Sequence, residues 1–276
     1  MTQNFHCGRF VLDAARPLIM GIVNLSDDSF SGDGLHGNTD LAIAQGRRMI
    51  DDGAHILDLG AESSRPGAEP VPVQQEIDRL APVIEGLRDC GAPLSIDTAK
   101  PEVMRFALAA GVDMINDIHA LRAPGALELV AASRAAVCLM HMQGDPGTMQ
   151  DDPRYADVVV EVAEFLAERV AAAEAVGIAL NRIAVDPGFG FGKTLEHNIE
   201  LLRRLGELVV PGFPLLVGLS RKSVLGLLTG RAAHERIHAG IAANVLAVLR
   251  GARIVRVHDV AATRDALAVL QAVEDY

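Results

Sequence analysis

Cysteine is scarce in this sequence and nowhere grouped. The 276 residues include three cysteines, Cys7, Cys90 and Cys138, with no Cys-x-x-Cys pair among them. We therefore expect neither a disulfide framework nor a zinc site, and we expect a reducing compartment, the cytoplasm. Cys138 lies in the apolar run AVCLM, which predicts a small buried side chain.

Long apolar runs are also missing. No run approaches the roughly 20 apolar residues that cross a bilayer, and the N-terminal sequence MTQNFHCGRFVLDAARP has no basic segment followed by an apolar one. We expect no membrane association and no signal peptide. No low-complexity stretch or linker divides the chain, which predicts a single domain over residues 1–276 with its core at about 17–270.

Basic residues are outnumbered. The chain has 25 Lys and Arg against 36 Asp and Glu, a formal net charge of -11. A nucleic-acid-binding domain usually presents a basic face, so we expect no nucleic-acid partner and a solvated acidic surface. This balance does not argue against an anionic substrate, because a few arginines can gather in one site.

Short apolar, β-branched runs recur along the whole chain. Runs of this kind are typical of strands buried on both faces of a parallel sheet. The predicted strands are PLIMGIV (17–23), HILDLG (55–60), PLSID (93–97), VDMIND (112–117), AVCLMHM (136–142), RIAVDPG (182–188), PLLVGLS (214–220) and RIVRVH (253–258).

Helical patterns alternate with these strands. One apolar stripe includes Val159, Val162, Leu166 and Val170, and another includes Leu195, Ile199, Leu202, Leu205 and Val209. Eight strands alternating with helices predict a (β/α)8 TIM barrel, in the α/β class. An open doubly wound sheet is the alternative, but it usually has a nucleotide loop after its first strand. Here the segment NLSDDSFSGDG follows instead.

Polar side chains follow the apolar part of every predicted strand. They are Asn24, Glu62, Asp97, Asn116, His141, Gln143, Asp186, the segment Ser220–Ser223, Arg256 and His258. Active sites of barrels lie at the carboxyl ends of the strands. Asp97 and Asp186 are still partly within strands, where a buried carboxylate costs several kcal/mol unless it is paired. The sequence therefore predicts a site at this rim.

The segment VDPGFGFGKT (185–194) is rich in glycine without being a nucleotide loop. Pro187 occupies the first glycine position of a Walker motif, and Lys193 occupies the last glycine position of a dinucleotide motif. One explanation for the glycines is a flat ligand that approaches the backbone, with Phe189 or Phe191 stacked beside it. The alternative is a tight strand-to-helix turn with the aromatic rings packed beneath it.

Basic residues cluster after the last two predicted strands. Ser220–Ser223 precedes an apolar helical segment, and a helix N-terminus together with Arg221 and Lys222 would suit a carboxylate or a phosphate. Arg256 and His258 are two residues apart and so share a face. Adjacent strands of a barrel would bring Lys222 close to Arg256. A surface ion pair is the alternative for a single strand-end arginine.

Metal-ligand patterns are weak. Asn24 with Asp28 could bind a hard cation such as Mg²⁺, shared with substrate phosphates. His141 alone fits a hydrogen-bonded rim residue better than a metal ligand. No nucleophile elbow is present.

Together these motifs resemble the dihydropteroate synthase family. The resemblance extends from about residue 17 to about residue 270 and rests on segments in the family's order. These segments are IMGIVNLSDDSFSGDG, GAHILDLGAESSRPGA, SIDTAKPEV, INDI, LMHMQGDPGTMQ, DPGFGFGKTLEHN, GLSRKS and RIVRVHDV. The resemblance implies a (β/α)8 barrel, commonly a homodimer, that joins 6-hydroxymethyl-7,8-dihydropterin diphosphate to 4-aminobenzoate with Mg²⁺.

The resemblance also implies roles for individual residues. Pterin binding is implied for Asp97, Asn116, Met140, Asp186, Phe191, Gly218, Lys222 and Arg256. Diphosphate binding is implied for Asn24, Ser64, Arg256 and His258, with Asn24 also near Mg²⁺. Aminobenzoate binding is implied for Phe30, Ser64, Arg65, Pro66 and Ser223. The implied catalytic residues, which neutralise the leaving group and orient the pterin, are Asn24, Lys222, Arg256 and His258.

Four positions depart from the family's commonest pattern, and two alternatives to this enzyme remain open. The departures are Ser26, Asp27, Ala61 and Ser64, of which Asp27 adds a charge beside the first loop. A methyltetrahydrofolate-binding methyltransferase domain would share the pterin acids but not the anion-binding residues. A non-catalytic pterin-binding paralogue should have lost Asn24, Lys222 or Arg256, and all three are present.

Overall fold

The computed structural model describes residues 4–26, 38–63, 70–210 and 212–274. An N-terminal hairpin is formed by β1 (Asn4–Cys7) and β2 (Phe10–Asp13). The further strands are β3 (Leu18–Asn24), β4 (Ile56–Gly60), β5 (Leu94–Asp97), β6 (Met114–Asp117), β7 (Ala136–Met140), β8 (Ile183–Asp186), β9 (Leu216–Val217) and β10 (Ile254–Val257).

Helices alternate with these strands. They are α1 (Thr39–Asp51), α2 (Val73–Leu87), α3 (Pro101–Ala109), α4 (Ala126–Ala131), α5 (Val158–Ala175), α6 (Leu195–Arg203), α7 (Ser223–Thr229), α8 (Ile237–Leu249) and α9 (Val260–Glu274). Within the described ranges, no helix is both long enough and apolar enough to cross a membrane.

The strands β3 to β10 form one parallel sheet that curls into a barrel. Their order is β8-β7-β6-β5-β4-β3-β10-β9. The two ends of this sheet meet at a parallel bridge between Val185 and Leu215. The predicted TIM barrel is therefore confirmed, with every predicted strand in its expected place. β9 begins later than predicted because Pro214 has no N–H to donate to the ladder, and it ends at Val217, before the predicted end at residue 220.

Local sequence features explain where several helices begin and end. The Asp157 carboxylate accepts hydrogen bonds from the N–H groups of Val159 and Val160, which caps α5. Gly53 and Gly111 follow α1 and α3 with φ of 105° and 85°, a conformation that glycine adopts without strain.

The second predicted apolar stripe was partly wrong. α6 ends at Arg203 and a 3₁₀ turn follows at Leu205–Leu208. Gly206, a poor helix former, lies in this turn. Leu205 is buried as expected, but Val209 is 43% exposed, because the change of helix type rotates it away from the core.

The hairpin closes the amino-terminal end of the barrel. Phe5 and Cys7 pack with Met20, Met114 and Cys138, which point into the barrel from their strands. The expected burial of Cys138 is confirmed. This hairpin was not predicted from the sequence. Because it closes the amino-terminal end with apolar side chains, the polar side chains gather at the carboxyl-terminal rim.

An ion pair fixes the hairpin in place. The Arg9 guanidinium donates to both carboxylate oxygens of Asp113, each at 3.0 Å. The two-residue turn of the hairpin includes Gly8 with φ of 58°, packed against Asp113. A side chain at position 8 would collide with the Asp113 backbone.

Candidate active site

A buried ionic network occupies the barrel interior near its carboxyl-terminal rim. Arg256 of β10 donates from Nε to Asp58 Oδ2 at 2.6 Å and from Nη2 to Asp97 Oδ2 at 2.8 Å. Asn116 of β6 donates from Nδ2 to Asp58 Oδ2 at 3.1 Å. The structure thus brings together Asp97, Asn116 and Arg256, three residues that the sequence analysis placed at the rim.

Asp58 is the site residue that the sequence analysis missed. It lies in the middle of β4, is 0% exposed and accepts from both Arg256 and Asn116. Its signal was present, since the run HILDLG has a carboxylate in an otherwise apolar strand, as do the strands of Asp97 and Asp186. An acid in a strand buried on both faces requires a cationic partner.

Burial and charge act in opposite directions on this network. Burial raises the pKa of Asp97 to about 7, helped by the nearby Asp58 and opposed by Arg256. For Arg256, burial works to lower the pKa, but Asp58 and Asp97 outweigh it and the pKa is raised. Arg256 therefore stays charged, whereas burial makes the charged form of Asp97 less favourable.

Asp186 and Lys222 form the second part of the site. Asp186 Oδ1 accepts from the Gly188 N–H at 2.7 Å, and Lys222 Nζ donates to the Phe189 carbonyl. Burial raises the pKa of Asp186, while Lys222 opposes this. Burial likewise lowers the pKa of Lys222 to about 8, while Asp186 opposes this. Each charge partly compensates for the desolvation of the other.

Gly218 separates the two basic residues of the site. A Cβ atom added to Gly218 would lie 3.8 Å from Lys222 Nζ and 3.8 Å from Arg256 Cβ. Lys222 and Arg256 therefore approach each other from adjacent parts of the barrel, as the strand order predicted. A side chain at position 218 would project into the space between them.

Apolar side chains form one wall beside these charges. Met140, at the end of β7, packs with Met142 and Met149, and the Phe191 ring lies against this cluster. Lys222 Nζ lies 4.5 Å from the centre of the Phe191 ring. Phe189, the other suggested stacking residue, is instead fully buried between barrel and helices, so only Phe191 retains that role.

Two of the three glycines in residues 185–194 allow neighbouring loops to pack closely. Gly188, Gly190 and Gly192 all have positive φ. A Cβ atom at Gly188 would lie 1.9 Å from the His141 carbonyl oxygen, and one at Gly192 would lie 2.4 Å from the Gln143 carbonyl oxygen. Gly188 and Gly192 therefore allow one strand-end loop to pack against its neighbour, whereas a Cβ atom at Gly190 would lie 3.4 Å from Lys222 Cδ, beside the candidate site.

The anion-binding residues follow β9 and β10 as predicted, with one correction. Ser223, exposed, begins α7, and His258 Nδ1 lies 3.0 Å from Ser220 Oγ. Arg221, which was expected to add to the anion site, forms an ion pair of 2.7 Å with Asp259. Its guanidinium therefore anchors the segment, and Lys222 remains the basic residue of this segment that lies beside Asp186.

Asn24 ends β3 at the same rim. Its Oδ1 accepts from the Ser26 N–H at 3.1 Å and from Ser26 Oγ at 2.7 Å. An amide oxygen is a ligand type that Mg²⁺ accepts. Among the described residues, no group of three or more His, Cys, Asp or Glu could hold a metal ion.

Several predicted residues lie outside the described ranges: Asp27, Asp28, Phe30, Ser64, Arg65 and Pro66. The chain on either side of residues 64–69 is tied together by ionic contacts. Lys100 Nζ contacts Glu62 Oε2 at 2.9 Å, Glu76 Oε2 at 2.8 Å and the Val71 carbonyl at 2.7 Å. Glu62, a rim residue in the sequence analysis, is thus part of this structural ion-pair cluster.

Comparison with known proteins gives consistent matches along the chain. Residues 20–258 match the family model described as pterin binding enzyme. A dihydropteroate synthase of Neisseria meningitidis serogroup B is 51% identical over 275 residues, covering 97% of this chain and 96% of the relative.

Solved structures agree with this result. The Burkholderia cenocepacia dihydropteroate synthase complexed with 7,8-dihydropteroate matches with a TM-score of 0.91 and 49% identity, covering 99% of this chain and 96% of that one. The Yersinia pestis dihydropteroate synthase with a sulfonamide drug complex matches with a TM-score of 0.96 and 43% identity, covering 99% and 100%.

Proposed function

The chain belongs to the dihydropteroate synthase family of pterin-binding enzymes, and we propose on this premise that it condenses 6-hydroxymethyl-7,8-dihydropterin diphosphate with 4-aminobenzoate. The products are 7,8-dihydropteroate and diphosphate, and the reaction belongs to folate biosynthesis. The observation that supports the proposal most directly is the set of Asp97, Asn116, Asp186 and Lys222 at the rim of the barrel, in which Asn116 and Asp186 are buried and Asp97 and Lys222 are partly buried.

The buried carboxylates suit the pterin ring. A pterin presents amide and amino N–H groups along one edge, and carboxylate oxygens accept such hydrogen bonds strongly in a site shielded from water. Asp186 would accept hydrogen bonds from this edge, while Asn116 and Lys222 would hydrogen-bond to the carbonyl and ring nitrogen atoms of the pterin. Met140 and Phe191 would contact the ring faces, because both are apolar and lie beside the charged groups.

The basic residues suit the leaving group. Arg256 lies in β10 and His258 follows the end of this strand, and we propose that both bind the diphosphate. Asn24 at the end of β3 would contribute an amide oxygen to Mg²⁺, with the remaining ligands from the substrate diphosphate and water. When bound, Mg²⁺ would neutralise the charge that develops on the departing diphosphate.

No protein nucleophile is required. Arg256 and His258 would stabilise the departing diphosphate, and the dihydropterin can stabilise the resulting methylene cation. The aminobenzoate amine then attacks that carbon and loses a proton. Ser223, at the exposed start of α7, is proposed to bind the aminobenzoate carboxylate. Phe30, Ser64, Arg65 and Pro66 are proposed for the same substrate.

A coupling assay tests this function. Purified protein supplied with dihydropterin diphosphate, radiolabelled aminobenzoate and Mg²⁺ should form labelled dihydropteroate, and EDTA should stop the reaction. Product formation that is unchanged in EDTA would contradict the metal requirement. Pterin binding without product would instead indicate a non-catalytic pterin-binding paralogue.

The pH dependence should follow the two proposed pterin-binding groups whose pKa values burial shifts to about 7 and about 8. Asp97, whose pKa burial raises to about 7, must be ionised to accept hydrogen bonds and to pair with Arg256. Lys222, whose pKa burial lowers to about 8, must stay protonated. We expect kcat/KM for the pterin substrate to be bell-shaped, rising through about pH 7 and falling above about pH 8. A profile that is flat across this interval would contradict the assignment.

Sulfonamides should compete with aminobenzoate. The Yersinia pestis relative was crystallised with a sulfonamide drug complex, and the sulfonamide ring imitates the aminobenzoate ring. Initial rates at several aminobenzoate concentrations should show that a sulfonamide raises KM for aminobenzoate and leaves kcat unchanged. Inhibition that aminobenzoate does not relieve would place the drug elsewhere.

A homodimer is also proposed. Exposed apolar side chains lie on α7, α8 and α9, among them Leu227 at 69% and Val269 at 66% exposure. Burying such a surface against a second copy would remove apolar area from water. Light scattering should give twice the chain mass of 29.2 kDa.

A cytoplasmic location is also proposed, because the three cysteines form no disulfide bond.

A further inference from the structure

The loop of residues 188–192 is held by side chains from outside the loop, which donate hydrogen bonds to its carbonyl oxygens. Each of the five successive carbonyls accepts a hydrogen bond from a side chain. The donors are Lys193 to Gly188, Lys222 to Phe189, Gln150 to Gly190, Lys193 to Phe191 and Tyr155 to Gly192. Three of these residues are glycines with positive φ, and these contacts fix the shape of the loop together with its internal hydrogen bond from the Phe191 N–H to the Gly188 carbonyl at 3.1 Å.

Lys193 binds two of the five carbonyls. Its ammonium donates to the Gly188 carbonyl at 3.0 Å and to the Phe191 carbonyl at 2.9 Å, and it lies 2.9 Å from His141 Nδ1. Lys193 is 3% exposed. Within the described part of the chain, these three neutral acceptors account for the ammonium, and no carboxylate forms an ion pair with it. Burial lowers the pKa of Lys193 to about 7, while Asp186 opposes this. The proposed mechanism does not use this buried amine.

The contacts of Lys193 lead directly to the proposed pterin-binding groups. Gly188 is bound on both sides, its N–H by Asp186 Oδ1 at 2.7 Å and its carbonyl by Lys193. The next carbonyl, that of Phe189, is the acceptor for Lys222. A change in the path of the loop would therefore move the acceptor of Lys222 and the donor to Asp186 together.

His141 completes the arrangement from the neighbouring strand. For its Nδ1 to accept from the ammonium, the ring must be neutral with its proton on Nε2. Burial lowers the pKa of His141 to about 3, and the positive charges of Lys193 and Arg122 act in the same direction. The rings of Tyr155 and Phe165 pack around it.

We propose that Lys193 is a positioning residue, which fixes the 188–192 loop to His141 and so places Asp186 and Lys222 for the pterin without touching it. This role rests on the proposed function. It predicts that loss of the ammonium weakens the pterin site selectively. Binding of aminobenzoate, which is assigned to other loops and to Ser223, would change little.

The first test replaces Lys193 with methionine, which retains most of the side-chain volume and removes the donors. We expect KM for the pterin substrate to rise at least about tenfold while KM for aminobenzoate changes less than about twofold. The matched control is Gln150→Ala. It removes another donor to the same loop, but at an exposed site where water can replace it. Equal changes in both KM values, or an unchanged pterin KM, would overturn the proposal.

The second test uses the ligand-free wild-type protein and does not depend on turnover or on Lys193→Met folding. NMR of ¹⁵N-labelled histidine, with His141 assigned by comparison with His141→Gln, should show an unprotonated Nδ1 that does not titrate between about pH 5 and 8. A protonated Nδ1, or titration near the usual value, would overturn the positioning role. Failure of wild-type protein to bind pterin, with this signature present, would count against the proposed function alone.

Discussion

Lys222→Met should lower kcat/KM for the pterin substrate by about 10² to 10³. Lys222 is the cation beside buried Asp186, and its ammonium also binds the Phe189 carbonyl. Without it, the pKa of Asp186, already raised by burial, would rise further because the opposing charge is gone. A protonated Asp186 would lose acceptor capacity for the pterin edge at neutral pH.

Calorimetry with a pterin and steady-state kinetics would measure this effect together. Arg203→Met is the control, since it also replaces a cation beside a helix end with methionine, but Arg203 is exposed and pairs with Glu200. The control should keep kcat/KM within about twofold, in line with the small contribution of exposed ion pairs. Unchanged pterin affinity in Lys222→Met would remove Lys222 from the binding site.

The strand pattern predicted much of the candidate site because its polar side chains lie where apolar strands end. Asp97 and Asp186 stand out as acids where apolar runs finish, and the barrel then brings their strands to one rim. Asp58 was missed because it lies within its run, where position alone does not indicate function. The carboxylate in an apolar strand was a signal that it has a partner, and the structure identifies that partner as Arg256.

The glycine-rich loop shows why other features could not be predicted. Its glycines were correctly recognised as unusual, but Gly188 and Gly192 pack against the backbones of His141 and Gln143, which belong to a different strand-end loop. The contact between Lys193 and His141 joins residues 52 positions apart in sequence. Such contacts depend on how neighbouring loops pack, which no local periodicity encodes.

Arg256→Met should lower both stability and activity. Arg256 pairs with Asp58, which is fully buried, and with Asp97. Removing the guanidinium would leave buried carboxylates uncompensated, which costs about 3–5 kcal/mol in the free energy of unfolding. Urea denaturation should report this loss, and the coupling assay should show little product because the diphosphate has lost its cation.

The double variant Arg256→Met with Asp58→Asn distinguishes the two effects. Asparagine removes the unpaired charge and leaves an amide that can still hydrogen-bond to Asn116, so much of the lost stability should return. Activity should not return, because the cation proposed to bind the diphosphate is still absent. If the double variant recovered activity along with stability, Arg256 would serve only to neutralise Asp58. If neither variant changed the urea midpoint, the ionic network would not stabilise the fold.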